Sequence, residues 1–151
     1  QLRVPLQTNV ITDQEATTII ICGQHACEQK ERQLEQLGVH VKRMPTEKID
    51  IVSLLSWLGT KNITSVFVEG GATVHASFLA SGCFQQVIMY MAPKLLGGHN
   101  AYPSFGGEGR RMIADSSQLQ FTKVEMIGPD VKLIAEPILA GGDTNDVHRD
   151  Y

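Results

Sequence analysis

"TSVFVEGGATVHASFLAS" (residues 64–81) joins an apolar run ending in Glu69 to two glycines and an alanine-rich segment. Its reading decides the fold. "TSVFVE" (64–69) has the composition of a buried strand, and "ATVHASFLAS" (72–81) that of a helix stopped by Gly82. A strand that feeds a helix through Gly70-Gly71 presents unpaired amides at the helix N-terminus, where the helix dipole favours negative charge. Two positions without side chains let a phosphate or pyrophosphate approach the main chain, and the Thr73 and Ser77 hydroxyls can add donors. The motif is neither Gly-x-Gly-x-x-Gly nor a Walker A loop. Spacing therefore leaves two readings open: an anion seat, or a tight turn whose glycines permit close helix–strand packing. Glu69 falls at the carboxyl end of the predicted strand, where open α/β sheets place ligands. An ionised carboxylate only accepts hydrogen bonds, so Glu69 suits the donors of a ribose or base edge, or a salt bridge to a lysine.

Outward from this turn the pattern repeats. "TTIIIC" (17–22) reads as a buried strand, and "ACEQKERQLEQLG" (26–38) as a mostly exposed helix that inserts Leu34 and Leu37 and stops at Gly38. "VHVKRM" (39–44) alternates like a strand with one wet face. Asp50 can cap a helix whose Ile51, Leu54, Leu55 and Leu58 form one face, ended by Gly59, with Trp57 off that stripe. Alternating strands and helices predict an α/β fold with a mostly parallel sheet flanked by helices. After Gly82 the pattern changes. "FQQVIMYMAP" (84–93) predicts a long strand and "KLLGGHNAYPSFGGEGRR" (94–111) a long loop; "LQFTKVEMIG" and "DVKLIAEP" around Gly128-Pro129 predict an antiparallel hairpin. Residues 139–151 have little to bury and read as a tail.

The 151 residues suffice for one domain with a core, and 42% hydrophobic with 19% charged residues is ordinary for a globular chain. A net charge of −3 gives no basic footprint for nucleic acid or membrane surfaces, and no apolar run is long enough for a membrane span. Cys22, Cys27 and Cys83 form no Cys-x-x-Cys pair and read as reduced thiols in a cytoplasmic protein, with Cys22 and Cys83 as small core residues. His25 and Cys27 lack the second pair of ligands a metal site needs, so no metal is expected. The chain starts without Met at Gln1, which reads as an excised part of a longer protein.

"VFVEGGATVHASFLASGCFQQVIMYMAPKLLGG", "LQFTKVEMIGPDVKLIAEP" and "LRVPLQTN" resemble the reductase domain of the bifunctional riboflavin-biosynthesis deaminase/reductase of bacteria, over residues 1 to about 137. The resemblance implies a dihydrofolate-reductase-like α/β fold, with residues 1–138 as the C-terminal portion of the domain. It implies NADPH-dependent reduction of 5-amino-6-(5-phosphoribosylamino)uracil to the ribitylamino product, with ribose opening and hydride delivery to C1. By the same resemblance Glu69 touches the substrate, and Gly71, Ala72, Thr73, Val74, His75, Ala76 and Ser77 hold NADPH. It further implies a homodimer, a zinc deaminase domain in the full-length parent, and an earlier reductase segment that supplies the first strands and much of the ligand contact. The deaminase ligands His-x-Glu and Pro-Cys-x-x-Cys are not in this sequence, and His25-Ala-Cys27 does not replace them. No residue stands out as a general acid; His75 reads as helix packing or a phosphate contact. Lys94 suits an anionic ligand or a wet strand end equally, and Met89 and Met91 read as core or interface filling. Gly97-Gly98 and Gly106-Gly107 suggest either a flap near the ligand or a mere connection. A pterin reductase of the same fold, or a non-catalytic nucleotide-binding fragment, are the competing readings.

Overall fold

A computed structural model describes residues 2–13, 15–98 and 100–138, which form two compact units, Gln1–Ser65 and Val66–Tyr151. The tail expected over 139–151 lies outside the described residues.

In the first unit, a short helix α1 (Asn9–Thr12) precedes strand β1 (Ile19–Cys22), helix α2 (Glu28–Gln36), strand β2 (His40–Arg43) and helix α3 (Ile51–Thr60). β1 and β2 pair in parallel, with Ile19 opposite His40 and Cys22 opposite Arg43. Parallel neighbours need a crossover, and α2 provides it. Leu2, Ile11, Cys22, Ala26, Leu34 and Val39 form the core, so Cys22 is the small core residue the sequence suggested. Leu34 is 0% exposed, whereas Leu37 is 38% exposed and does not share the burial expected of it. Its position explains this: Leu37 is the C-cap of α2, where the backbone leaves the helix before Gly38 turns at φ +83°. Asp50 caps α3 by accepting from the Ser53 amide at 2.8 Å.

One ion pair escaped the sequence reading. The Arg43 guanidinium on β2 donates to the Gln24 carbonyl at 2.7 Å, to the Ala26 carbonyl at 2.9 Å, and to the Glu31 carboxylate on α2. A planar fork of donors is suited to such convergent acceptors. It ties β2 to the β1–α2 connection. The hydrogen bond to Glu31 raises the already high pKa of Arg43.

The second unit opens with a segment outside helix or strand, then helix α4 (Ala72–Ser81), strand β3 (Val87–Met91), a 3-10 turn at Ile113–Asp115, and strands β4 (Leu119–Ile127) and β5 (Asp130–Pro137). The strand order is β3-β5-β4, antiparallel throughout. Gly128, at φ +59°, and Pro129 make the two-residue hairpin turn that leaves Ile127 opposite Asp130. Register places Val87, Ala135 and Phe121 in one cross-strand row, Met89, Leu133 and Val124 in the next, and Met91, Val131 and Met126 in a third. These rows give the sheet one apolar face. The row Tyr90, Lys132 and Glu125 lies on the other.

The α/β class and the C-terminal hairpin are thus present, and the parallel pairing is that of β1 with β2. The strand predicted over 64–69 is not formed. Phe67 is 74% exposed, Val66 is 45% exposed, and among the described residues no backbone group of 64–69 pairs with another segment. Apolar, β-branched composition supplies only the propensity for a strand. The ladder needs a paired neighbour, which composition alone does not supply.

Candidate functional site

The residues singled out around the Gly-Gly turn sit together on α4 and the three residues before it. Gly71 is the N-cap of α4, extended at φ −75° and ψ 178°, and no side chain caps the helix. Val74 and His75 both donate their amides to the Gly71 carbonyl, at 2.9 and 3.1 Å. Among the described residues, the amides of Ala72 and Thr73 donate to no protein acceptor. The first turn of α4 carries no acidic side chain. Its first amides, at the positive end of the helix dipole, are therefore free of protein acceptors.

The two glycines do different work. A Cβ at Gly70 would lie 2.5 Å from Val74 Cβ, so Gly70 is required for the turn to fold back on the helix. A Cβ at Gly71 would meet nothing within 4 Å, and the backbone there is open to any residue. Gly70 thus packs on Val74 of the helix, and Gly71 leaves free space beside bare amides. This is the geometry a phosphate or pyrophosphate fits.

The side chains sort in the same way. Thr73 is exposed on the first turn, and its hydroxyl makes no hydrogen bond among the described residues. Ser77 donates its hydroxyl to the Thr73 carbonyl at 2.9 Å, so that proton is engaged within the helix rather than offered to a ligand. Glu69 is exposed, two residues before the N-cap, and no ion pair reaches it among the described residues. The carboxylate therefore keeps its acceptor capacity. Because no strand forms over 64–69, it is held by the turn rather than by a sheet edge.

The long loop contributes what the sequence reading left open. His75 Nδ1 lies 2.9 Å from the Ser104 carbonyl, and its ring packs on Phe105 with centroids 5.6 Å apart. Gly106 donates its amide to the Ala72 carbonyl at 2.9 Å. Ser104–Gly107 therefore lies along the first two turns of α4. The glycine pair 106–107 was the only signal for this in the sequence. Lys94 is exposed, and the described residues contain no group of three or more His, Cys, Asp or Glu able to hold a metal. The shallow concavities along the outer surface of α2, lined by side chains such as Glu28, Arg32 and Gln36, do not coincide with this site.

Residues 1–133 match the family described as RibD C-terminal domain. The chain belongs to that family. It is 43% identical over 149 residues to the riboflavin biosynthesis protein RibD of Bacillus amyloliquefaciens, covering 99% of this chain and 40% of that one. A 5-amino-6-(5-phosphoribosylamino)uracil reductase of Buchnera aphidicola is 38% identical over 97 residues, covering 64% of this chain and 46% of the relative. Among solved structures, Acinetobacter baumannii RibD superposes with a TM-score of 0.74 at 26% identity, over 90% of this chain and 35% of that one. A pyrimidine reductase-like protein of Corynebacterium diphtheriae shares the fold, with a TM-score of 0.76 at 18% identity, over 92% of this chain and 58% of that one. The chain thus spans about two fifths of the RibD proteins it matches.

Proposed function

We propose that this chain forms the C-terminal part of an NADPH-dependent reductase that converts 5-amino-6-(5-phosphoribosylamino)uracil to its ribitylamino product. The observation that carries the reading is the pair of unspent amides, Ala72 and Thr73, beside the free space at Gly71, in a member of the RibD family. The bound cofactor would supply the hydride that the opened ribose accepts at C1. This chain's own part is positioning. The α4 N-terminus neutralises the anionic bridge of the dinucleotide, with the Thr73 hydroxyl alongside. Glu69 accepts from the substrate's hydroxyl or N–H groups and orients the sugar. Holding donor and acceptor carbons in register is where such a site gains most of its rate.

The remaining parts of the reading rest on similarity and surface character. The RibD relatives extend well beyond the match, which supports a zinc deaminase domain in the parent protein. Exposed apolar residues on the edge strand β4, Phe121, Val124 and Met126, support association into a homodimer. No helix among the described residues is long and apolar enough to cross a membrane, and we place the enzyme in the cytoplasm with its small-molecule substrate.

The test is direct. NADPH at a hundredfold excess over its Kd should stabilise the folded chain by about 2.7 kcal/mol, read as a melting shift. Oxidation of bound NADPH should then require the phosphoribosylaminouracil. Oxidation with dihydrofolate instead would assign a pterin reductase, and no stabilisation by NADPH would reject the cofactor reading.

A further inference from the structure

We propose that Ser104–Gly107 is a strap pinned across the first two turns of α4 by His75, and that the strap slows the escape of a ligand seated at the Ala72 and Thr73 amides. His75 is then a positioning residue for the strap. The inference rests on the cofactor reading above for the identity of the ligand; the strap itself stands on geometry.

Three observations converge on it. A carbonyl oxygen only accepts, so the 2.9 Å contact of His75 with Ser104 requires the proton on Nδ1. The ring is thus turned toward the loop, where Phe105 packs on it at 5.6 Å. Next, the Gly106 amide is spent on the Ala72 carbonyl, one residue from the free Thr73 amide. Finally, both glycines ease so close an approach. A Cβ at Gly106 would lie 3.3 Å from Ala72 Cβ, and one at Gly107 would lie 3.3 Å from Ala76 Cβ at a backbone φ of +80°. The loop therefore meets α4 on its 72, 75, 76 side and leaves the exposed Thr73 beside it. A residue that covers one flank of an anion seat governs how fast the anion leaves.

Amide exchange at Gly106 and NADPH dissociation, both measured on the full chain, test the two halves. His75→Ala should raise the Gly106 exchange rate about tenfold, the worth of one lost hydrogen bond and its ring contact. His75→Asn, whose amide can donate from near the Nδ1 position, should restore most of the protection. Gly107→Ala leaves His75 in place but forces the strap away, and should speed NADPH dissociation to the same extent as His75→Ala. Unchanged Gly106 exchange in His75→Ala overturns the pin. Faster exchange with an unchanged dissociation rate in both variants overturns the gating role. A wild-type chain that binds no NADPH rejects the ligand assignment and the gating with it, while the exchange comparison still decides the pin.

Discussion

Gly71→Asp should make the protein more stable and, at the same time, a worse binder. The position tolerates a side chain: φ is −75°, and an added Cβ meets no atom within 4 Å. Aspartate is a preferred N-cap, and α4 has no side-chain cap. A few tenths of a kcal/mol from capping, added to about 0.4–1 kcal/mol from removing a glycine's freedom in the unfolded chain, gives roughly 0.6–1.4 kcal/mol of stabilisation. For a chain of this size that raises Tm by roughly 1–6 °C. The same carboxylate takes an amide that the phosphate needs and sets a negative charge roughly 5 Å from it. That repulsion amounts to about 1 kcal/mol in a water-like environment and about 3 kcal/mol at an effective dielectric constant near 20. NADPH affinity should therefore fall roughly 5- to 150-fold, measured by calorimetric titration. Gly71→Ser separates the two contributions: it occupies the amide without the charge and should weaken binding less. A Gly71→Asp chain that melts higher, as predicted, yet binds NADPH as the wild type does would refute the placement of the anion on this turn.

The neighbouring glycine should behave in the opposite way. Gly70→Ala drives a Cβ to 2.5 Å from Val74 and should cost about 1–3 kcal/mol in urea unfolding, while Gly71→Ala should cost nothing measurable; equal effects at the two positions would show that the turn is not built as described. Leu34→Ala removes the one large side chain that is fully buried among the described residues and should destabilise the chain by about 2–5 kcal/mol, with the m-value preserved. Asp50 gives a pH signature. Hydrogen bonds from Ser53, hydroxyl and amide, hold its carboxyl below the usual 3.8. Its folded pKa is thus depressed, so its stabilisation is complete above the unfolded value of 3.8 and is lost as pH falls through the folded pKa. The stability gap between wild type and Asp50→Ala should be present at pH 7 and close in acid; a gap independent of pH would show that the charged cap is not what holds α3.

Much of the local structure is legible in the residues alone. Asp50 and the Ile51, Leu54, Leu55, Leu58 stripe specify α3, Gly38 and Gly82 end their helices at positive φ, and Gly128-Pro129 turns the hairpin, because each depends on neighbours a few positions away. The Gly-Gly turn before α4 is legible for the same reason, and with it the set of amides offered to an anion. Other features depend on residues far apart in sequence. The run 64–69 has a strand's composition but no ladder, since pairing is settled by what lies beside it. Arg43 meets carbonyls 17 and 19 positions away, and His75 meets the Ser104 carbonyl across 29. Propensity and capping act within a turn or two of chain, so the sequence determined where α4 begins and that it begins bare. Which glycine serves packing and which leaves room, and which loop lies against the helix, was decided only when distant backbone came within hydrogen-bonding reach.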